Sequence, residues 1–153
     1  RHTRFSTVIG VQTCALPIFA WVLAQSMKHV FRLFGRNRRV FHNNPRSPLL
    51  LSGGMPSAHA ASVSALTVSI GYYDGLNSSI FAVAVLFSVI VAYDAVMVRH
   101  SSGMQGDLLN RVIDKSFPEM KQVKVAHGHT VVEVLAGAVI GATVACVVIF
   151  ATK

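Results

Sequence analysis

Four stretches of this chain are apolar over a length that crosses a bilayer, and polar stretches separate them. The first runs from about Ala15 to Phe34, with Lys28 and His29 near its basic end. The second, about Met55 to Tyr73, has no Asp, Glu, Lys or Arg and is rich in Ala and Ser. The third, Ile80 to Val98, is strongly apolar apart from Asp94, and the fourth spans Thr130 to Thr152. Each is close to the ~20 residues a helix needs to cross ~30 Å of hydrocarbon. The pattern predicts an all-α integral membrane bundle of about four transmembrane helices. The small residues of the second segment and the Gly137/Gly141 pair of the fourth predict close helix packing, with the glycines read as a packing notch.

Composition agrees with that picture. Of 153 residues, 52% are hydrophobic and 13% charged, with a mean hydropathy of +0.52. This is too apolar for an ordinary soluble domain. The net charge of +8 raises nucleic acid as a partner. The basic residues, however, cluster between the apolar runs, as membrane-flanking charge does, and no aromatic–basic interleaving accompanies them; nucleic-acid binding is set aside. Two cysteines, Cys14 and Cys146, make no disulfide framework. The length suits one domain, expected over residues 19–153. Residues 1–18 stand apart: a basic start and apolar middle imitate a leader without a small-residue cleavage site, and the stretch joins abruptly at Pro17. It is expected to be a leader or an artefact of the gene's start, and no function is assigned to it.

Loop charge gives the topology. The first connection holds Arg36, Arg38, Arg39 and Arg46, and the third, a polar insert from Arg99 to His129, holds Arg99, Arg111, Lys115, Lys121 and Lys124. Between them the second connection is a tight Asp74-Gly75 turn without a basic residue. The positive-inside rule places the first and third connections in the cytoplasm, which in a bacterium makes this an inner-membrane protein. Lys28, Ser57, His59, Arg99 and His129 then fall at one membrane face, as a single polar site.

The fourth segment carries the most specific chemistry. His129, Glu133, Gly137 and Gly141 follow one another at i, i+4 spacing and share one face of a helix. A carboxylate in such a helix is costly without a partner or a job. The residues suit phosphoryl transfer, which needs a nucleophile, a proton donor for the leaving oxygen, and cations or amide N–H groups around the phosphate. His129 is the candidate nucleophile, with Glu133 fixing its tautomer, and His59 is the candidate acid. Lys28 and Arg99 are candidate phosphate ligands. Pro56-Ser57 opens a helix after Gly53-Gly54, which makes Gly54 and Ser57 candidates for an anion site at its start. Asp94 is expected to be structural, paired with Arg99 or Lys28.

Gly-Gly-Met-Pro-Ser-Ala-His (Gly53–His59) followed by His-Thr-Val-Val-Glu-Val-Leu-Ala-Gly-Ala-Val-Ile-Gly (His129–Gly141) resembles the type 2 phosphatidic acid phosphatases and vanadium haloperoxidases. The likeness is closest to their divergent branch of small bacterial and plant membrane proteins, and it covers about Phe19 to Lys153. In the main family a Pro-Ser-Gly-His motif supplies a Ser ligand and an acid His. Ser57 and His59 match, with Ala58 in place of Gly. A later His-x3-Asp supplies the phosphorylated His and its orienting acid; His129 and Glu133 match, with Glu for Asp. Lys28 matches the first motif's Lys, without the Arg-Pro expected seven residues on. The arginine expected six residues before the nucleophile falls at Val123, and Arg99 is the divergent branch's substitute.

The resemblance implies a membrane phosphatase acting on a phosphomonoester, a lipid or polyprenyl phosphate, through a phosphohistidine. Its partners are membrane lipids and the phosphorylated substrate, and it calls for no cofactor and no metal. Two other classes compete. One is a metal-dependent membrane protein using His127, His129, Glu133 and His59. The other is a non-catalytic membrane adaptor that keeps the fold.

Overall fold

The computed structural model describes residues 15–30, 55–123, 125 and 128–152. Among them all the regular structure is helical. Helix α1 covers residues 15–30, α2 Ala58–Tyr73, α3 Ser79–Tyr93, α4 Arg99–Ser116 and α5 Val131–Ala151, with a π turn at Asp94–Val98 joining α3 to α4. The expected first and last segments differ little from α1 and α5, although residues 31–34 lie outside the described set. The second begins later than Met55, at Ala58, because Ser57 caps it by accepting the Ala60 N–H. At its far end Asp74 N–H returns to Ile70 O at 2.8 Å. Gly75 follows with φ +88°, a left-handed conformation that glycine adopts without a Cβ penalty. The Asp74-Gly75 turn is therefore as expected.

The third connection is helical over its first part, Arg99–Ser116. From Ser79 the chain stays helical to Ser116, over 38 residues. At 1.5 Å per residue that is about 57 Å, roughly twice the hydrocarbon thickness. The apolar α3 half suits the bilayer; the α4 half, with Arg99, Asp107, Arg111, Asp114 and Lys115, continues beyond it. Residues after Ser116 turn back along α4. Asn110 pairs with the Val123 backbone through Nδ2→O at 3.0 Å and Val123 N→Oδ1 at 2.7 Å. Gln122 reaches the Asp114 carboxylate, and Val125 lies over Gly106. This return leads the chain back to the π turn, where α5 begins.

The interior is made of small side chains. Ala20, Ala65 and Ala145 bring α1, α2 and α5 together. Ala24, Ala58 and Ala61 do the same for α1 and α2, beside Trp21. Ala60, Ala95 and Val134 join α2, the π turn and α5. Large apolar side chains point outward instead, among them Leu86, Phe87 and Ile90 of α3 and Leu135, Val139 and Phe150 of α5. A water-soluble domain buries its Leu and Phe and exposes its polar groups. Here Ala, Ser and Gly fill the centre and bulky hydrocarbon covers the outside, the arrangement of helices packed in lipid. Two helical spans, Ser79–Ser116 and Val131–Ala151, are long and apolar enough to cross a membrane. The protein is an all-α integral membrane bundle.

Candidate functional site

The start of α5 organises the site. Thr130 caps the helix, with its Oγ1 accepting from Glu133 N at 3.3 Å. The Glu133 carboxylate reaches back, with Oε2 accepting from Thr130 N at 3.0 Å. This reciprocal capping box satisfies two donors that a helix start would otherwise leave unpaired. The same Oε2 lies 3.2 Å from His129 Nδ1. One carboxylate oxygen therefore closes the helix end and faces the imidazole. Thr-x-x-Glu before an apolar run is a readable helix-start signature, and the i, i+4 reading of His129 and Glu133 passes over it.

Ser57 and α2 dock directly on this helix end. Ser57 N donates to Glu133 O at 3.0 Å. Ser57 is fully buried, and its Oγ accepts from Ala60 N at 3.4 Å. These bonds occupy the amides of Ser57, a residue the sequence suggested for an anion, and of Ala60. The serine hydroxyl hydrogen remains available as a donor. Two turns of α5 then run against α2 without intervening side chains. A Cβ on Gly137 would collide with Ser57 O, and one on Gly141 with Ala61 O. The two glycines are thus the packing notch expected of them, and that notch seats Ser57 beside Glu133.

His129 is 6% exposed, and its N–H donates to Ala95 O in the π turn at 2.9 Å. Burial holds its imidazole below the ordinary 6.5, the Glu133 hydrogen bond and charge oppose that, and the positive charges of Lys28 and His59 reinforce it. Lys28, near the end of α1, is itself 6% exposed. His59 sits in the first turn of α2 with its side chain exposed, and the charges acting on it are those of Arg99, Lys28 and Asp94. Lys28 therefore stands electrostatically between the two histidines, while Arg99 acts on His59. Arg99 Nε donates to Asp94 Oδ2 at 2.7 Å, so the aspartate's expected pairing falls to Arg99.

Four parts of the chain meet here: Lys28 from α1, Ser57 and His59 from the cap and first turn of α2, Asp94 and Arg99 from the π turn and its edge, and His129 and Glu133 from the segment before α5 and its first turn. Gly54 and His127 lie outside the described residues. Among the described residues no three His, Cys, Asp or Glu side chains gather in a way that would hold a metal ion; the metal reading also needs His127. Val123, where the main family's arginine would fall, has both backbone groups held by Asn110.

Residues 10–144 match the model of the Divergent PAP2 family. The chain is also similar to the membrane protein YuiD of Bacillus subtilis (strain 168), 39% identical over 105 residues, covering 59% of this chain and 66% of YuiD. That is a little under two thirds of the relative's length. No solved structure matches. With the family match running over most of its length and across both His-bearing motifs, this chain belongs to the Divergent PAP2 family.

Proposed function

We propose that the protein is a membrane phosphatase that hydrolyses a phosphomonoester through a phosphohistidine on His129. The observation that carries this reading is the single Glu133 oxygen shared between the helix cap and His129 Nδ1. A carboxylate fixed by the cap holds Nδ1 as the donor and presents the Nε2 lone pair. The lowered basicity of His129 keeps that lone pair unprotonated near neutral pH.

In the first step His129 Nε2 attacks phosphorus as the ester P–O bond breaks. The leaving oxygen takes the electron pair and a proton from His59. Lys28 and Arg99 face the phosphate oxygens, which carry the largest charge the site must stabilise. Phosphorylation leaves the His129 ring positive, and Glu133 at 3.2 Å offsets that charge. In the second step a water gives its proton to His59 and attacks phosphorus. The P–N bond breaks, releasing inorganic phosphate and neutral His129.

The substrate we propose is a lipid or polyprenyl phosphate. Its headgroup would meet the site at the cytoplasmic boundary of the inner membrane, where the basic connections favour the cytosolic side, while its tail stays beside the outward-facing apolar helices. The test is a hydrolysis screen of detergent-purified protein on lipid and soluble phosphomonoesters. Turnover blocked by vanadate and unaffected by EDTA is expected. Loss on EDTA treatment would transfer the site to a metal, and vanadate binding without turnover would make the protein a non-catalytic adaptor.

A further inference from the structure

We infer that Asp94 is a positioning residue for Arg99, and that the π turn at Asp94–Val98 is what allows the two side chains to meet; the inference rests on the phosphatase reading. On a regular α-helix residues five apart are rotated by about 140° and do not face each other. Here Arg99 N–H closes on Asp94 O, an i→i+5 bond. The wider turn brings positions five apart into line, and the Asp94 carboxylate meets Arg99 Nε at 2.7 Å. Inserted π turns of this kind occur often at functional sites.

The bond is made at Nε. A guanidinium held there keeps its two terminal nitrogens for the oxygens of an anion, in the fork geometry that suits phosphate. The same segment also fixes the other half of the site. Ala95 O, inside the π turn, accepts the His129 N–H at 2.9 Å. Gly128, the residue before the nucleophile, lies so close to this turn that a Cβ would come 2.9 Å from Ala95 O and 2.5 Å from His100 N. Five residues thus set the backbone of His129 and the side chain of Arg99 against one another. Arg99 and Asp94 are both among the charges acting on His59, so the field of the held guanidinium reaches the acid. Two groups from distant parts of the chain are brought into register by one local irregularity.

The experiment compares Asp94→Ala and Asp94→Asn with the native protein in detergent, using vanadate binding, KM and kcat on the best substrate of the screen, and the ¹⁵N–¹H resonance of Arg99 Nε. The asparagine keeps an oxygen that accepts from Nε without the charge. Positioning predicts that Asp94→Ala weakens vanadate binding and raises KM by about tenfold, with a smaller change in kcat. Asp94→Asn should keep most of the affinity. The Arg99 Nε–H should exchange slowly with solvent in the native protein and Asp94→Asn, and rapidly in Asp94→Ala. If both variants bind vanadate more tightly, Asp94 acts only as a repelling charge and the inference fails. It fails equally if Asp94→Ala leaves both affinity and exchange unchanged. If the native protein binds no vanadate while the Arg99 exchange pattern behaves as predicted, the phosphatase reading falls and the positioning of Arg99 stands.

Discussion

Against α5, helix α2 lies backbone to backbone; against α3 it is held by hydroxyl groups. On the first side Gly137 and Gly141 leave room only for Ser57 O and Ala61 O, and Ser64 Oγ reaches Ala138 O at 2.8 Å. On the second, Thr67 Oγ1 and Ser88 Oγ lie 2.8 Å apart, with Ser88 reaching Val63 O and Thr67 reaching Ala84 O, each at 3.3 Å. Backbone contact has no rotamers to relax, whereas hydroxyl contacts can rearrange. The difference follows the chemistry. The rigid side seats Ser57 against Glu133, and the proposed phosphoryl transfer needs the spacing of these two and of His59 and His129 to hold. The adaptable side leads through α3 to the partly exposed Asp94–Arg99 pair, which in the proposed function has only to grip phosphate.

The largest effect expected is from Gly141→Leu. A side chain there meets the Ala61 carbonyl and must push α2 off α5, at a cost of about 3 kcal/mol or more. Thermal unfolding in detergent, followed by circular dichroism and gel filtration, should show loss of the folded species. A stable Gly141→Leu protein would mean that the two helices are not locked together.

Glu133→Gln comes next. The amide can still complete the capping box, so the fold should persist, but it cannot offset positive charge on a phosphorylated ring. Turnover should fall by about a hundredfold with an unchanged melting temperature. Equal loss of stability and rate would reduce Glu133 to a helix cap.

A smaller effect concerns pH. In the proposed mechanism His129 must be unprotonated to attack, so activity is expected above its pKa and lost as pH falls through it. Lys28 is among the groups that lower that pKa. Lys28→Gln should therefore move the acid limb of the kcat/KM profile to higher pH, and Glu133→Gln should move it lower, since Glu133 opposes the shift. An acid limb that stays in place in Lys28→Gln would separate Lys28 from His129.

The smallest change is expected from Thr67→Val on the adaptable side. The change removes the hydroxyl that meets Ser88 Oγ and Ala84 O on α3, and an interhelical hydrogen bond in a membrane bundle contributes about 0.6 kcal/mol. A loss as large as that of Gly141→Leu, measured by the same unfolding assay, would erase the contrast between the two sides.

Much of this arrangement is readable from residue spacing. The apolar runs give the helices, the i, i+4 row from His129 to Gly141 gives both the His–Glu pair and the packing notch, and alternating helix direction gives the convergence. What escapes that reading has physical causes. Helix α4 is polar, so hydropathy takes it for a loop, although its chain carries no proline until Pro118. The Asp94–Arg99 contact depends on a π turn, and spacing rules for a regular helix place those residues on different faces. Ser57 suggested an anion ligand from its motif, yet much of its bonding serves the α2 cap and the seam with α5. That double duty is set by tertiary contact with Glu133 O, which no local pattern reports.

In the proposed mechanism the imidazole held by the cap carboxylate accepts the phosphoryl group. Only His129 has an acid one turn on; the residue four after His127 is Val131. Rapid quench of the purified protein with labelled substrate, followed by mapping of the phosphorylated residue, tests this directly. Acid-labile label on His129 is predicted, absent in His129→Ala and retained in His127→Ala. Label on His127, or full turnover in His129→Ala, would show that His129 is not the nucleophile.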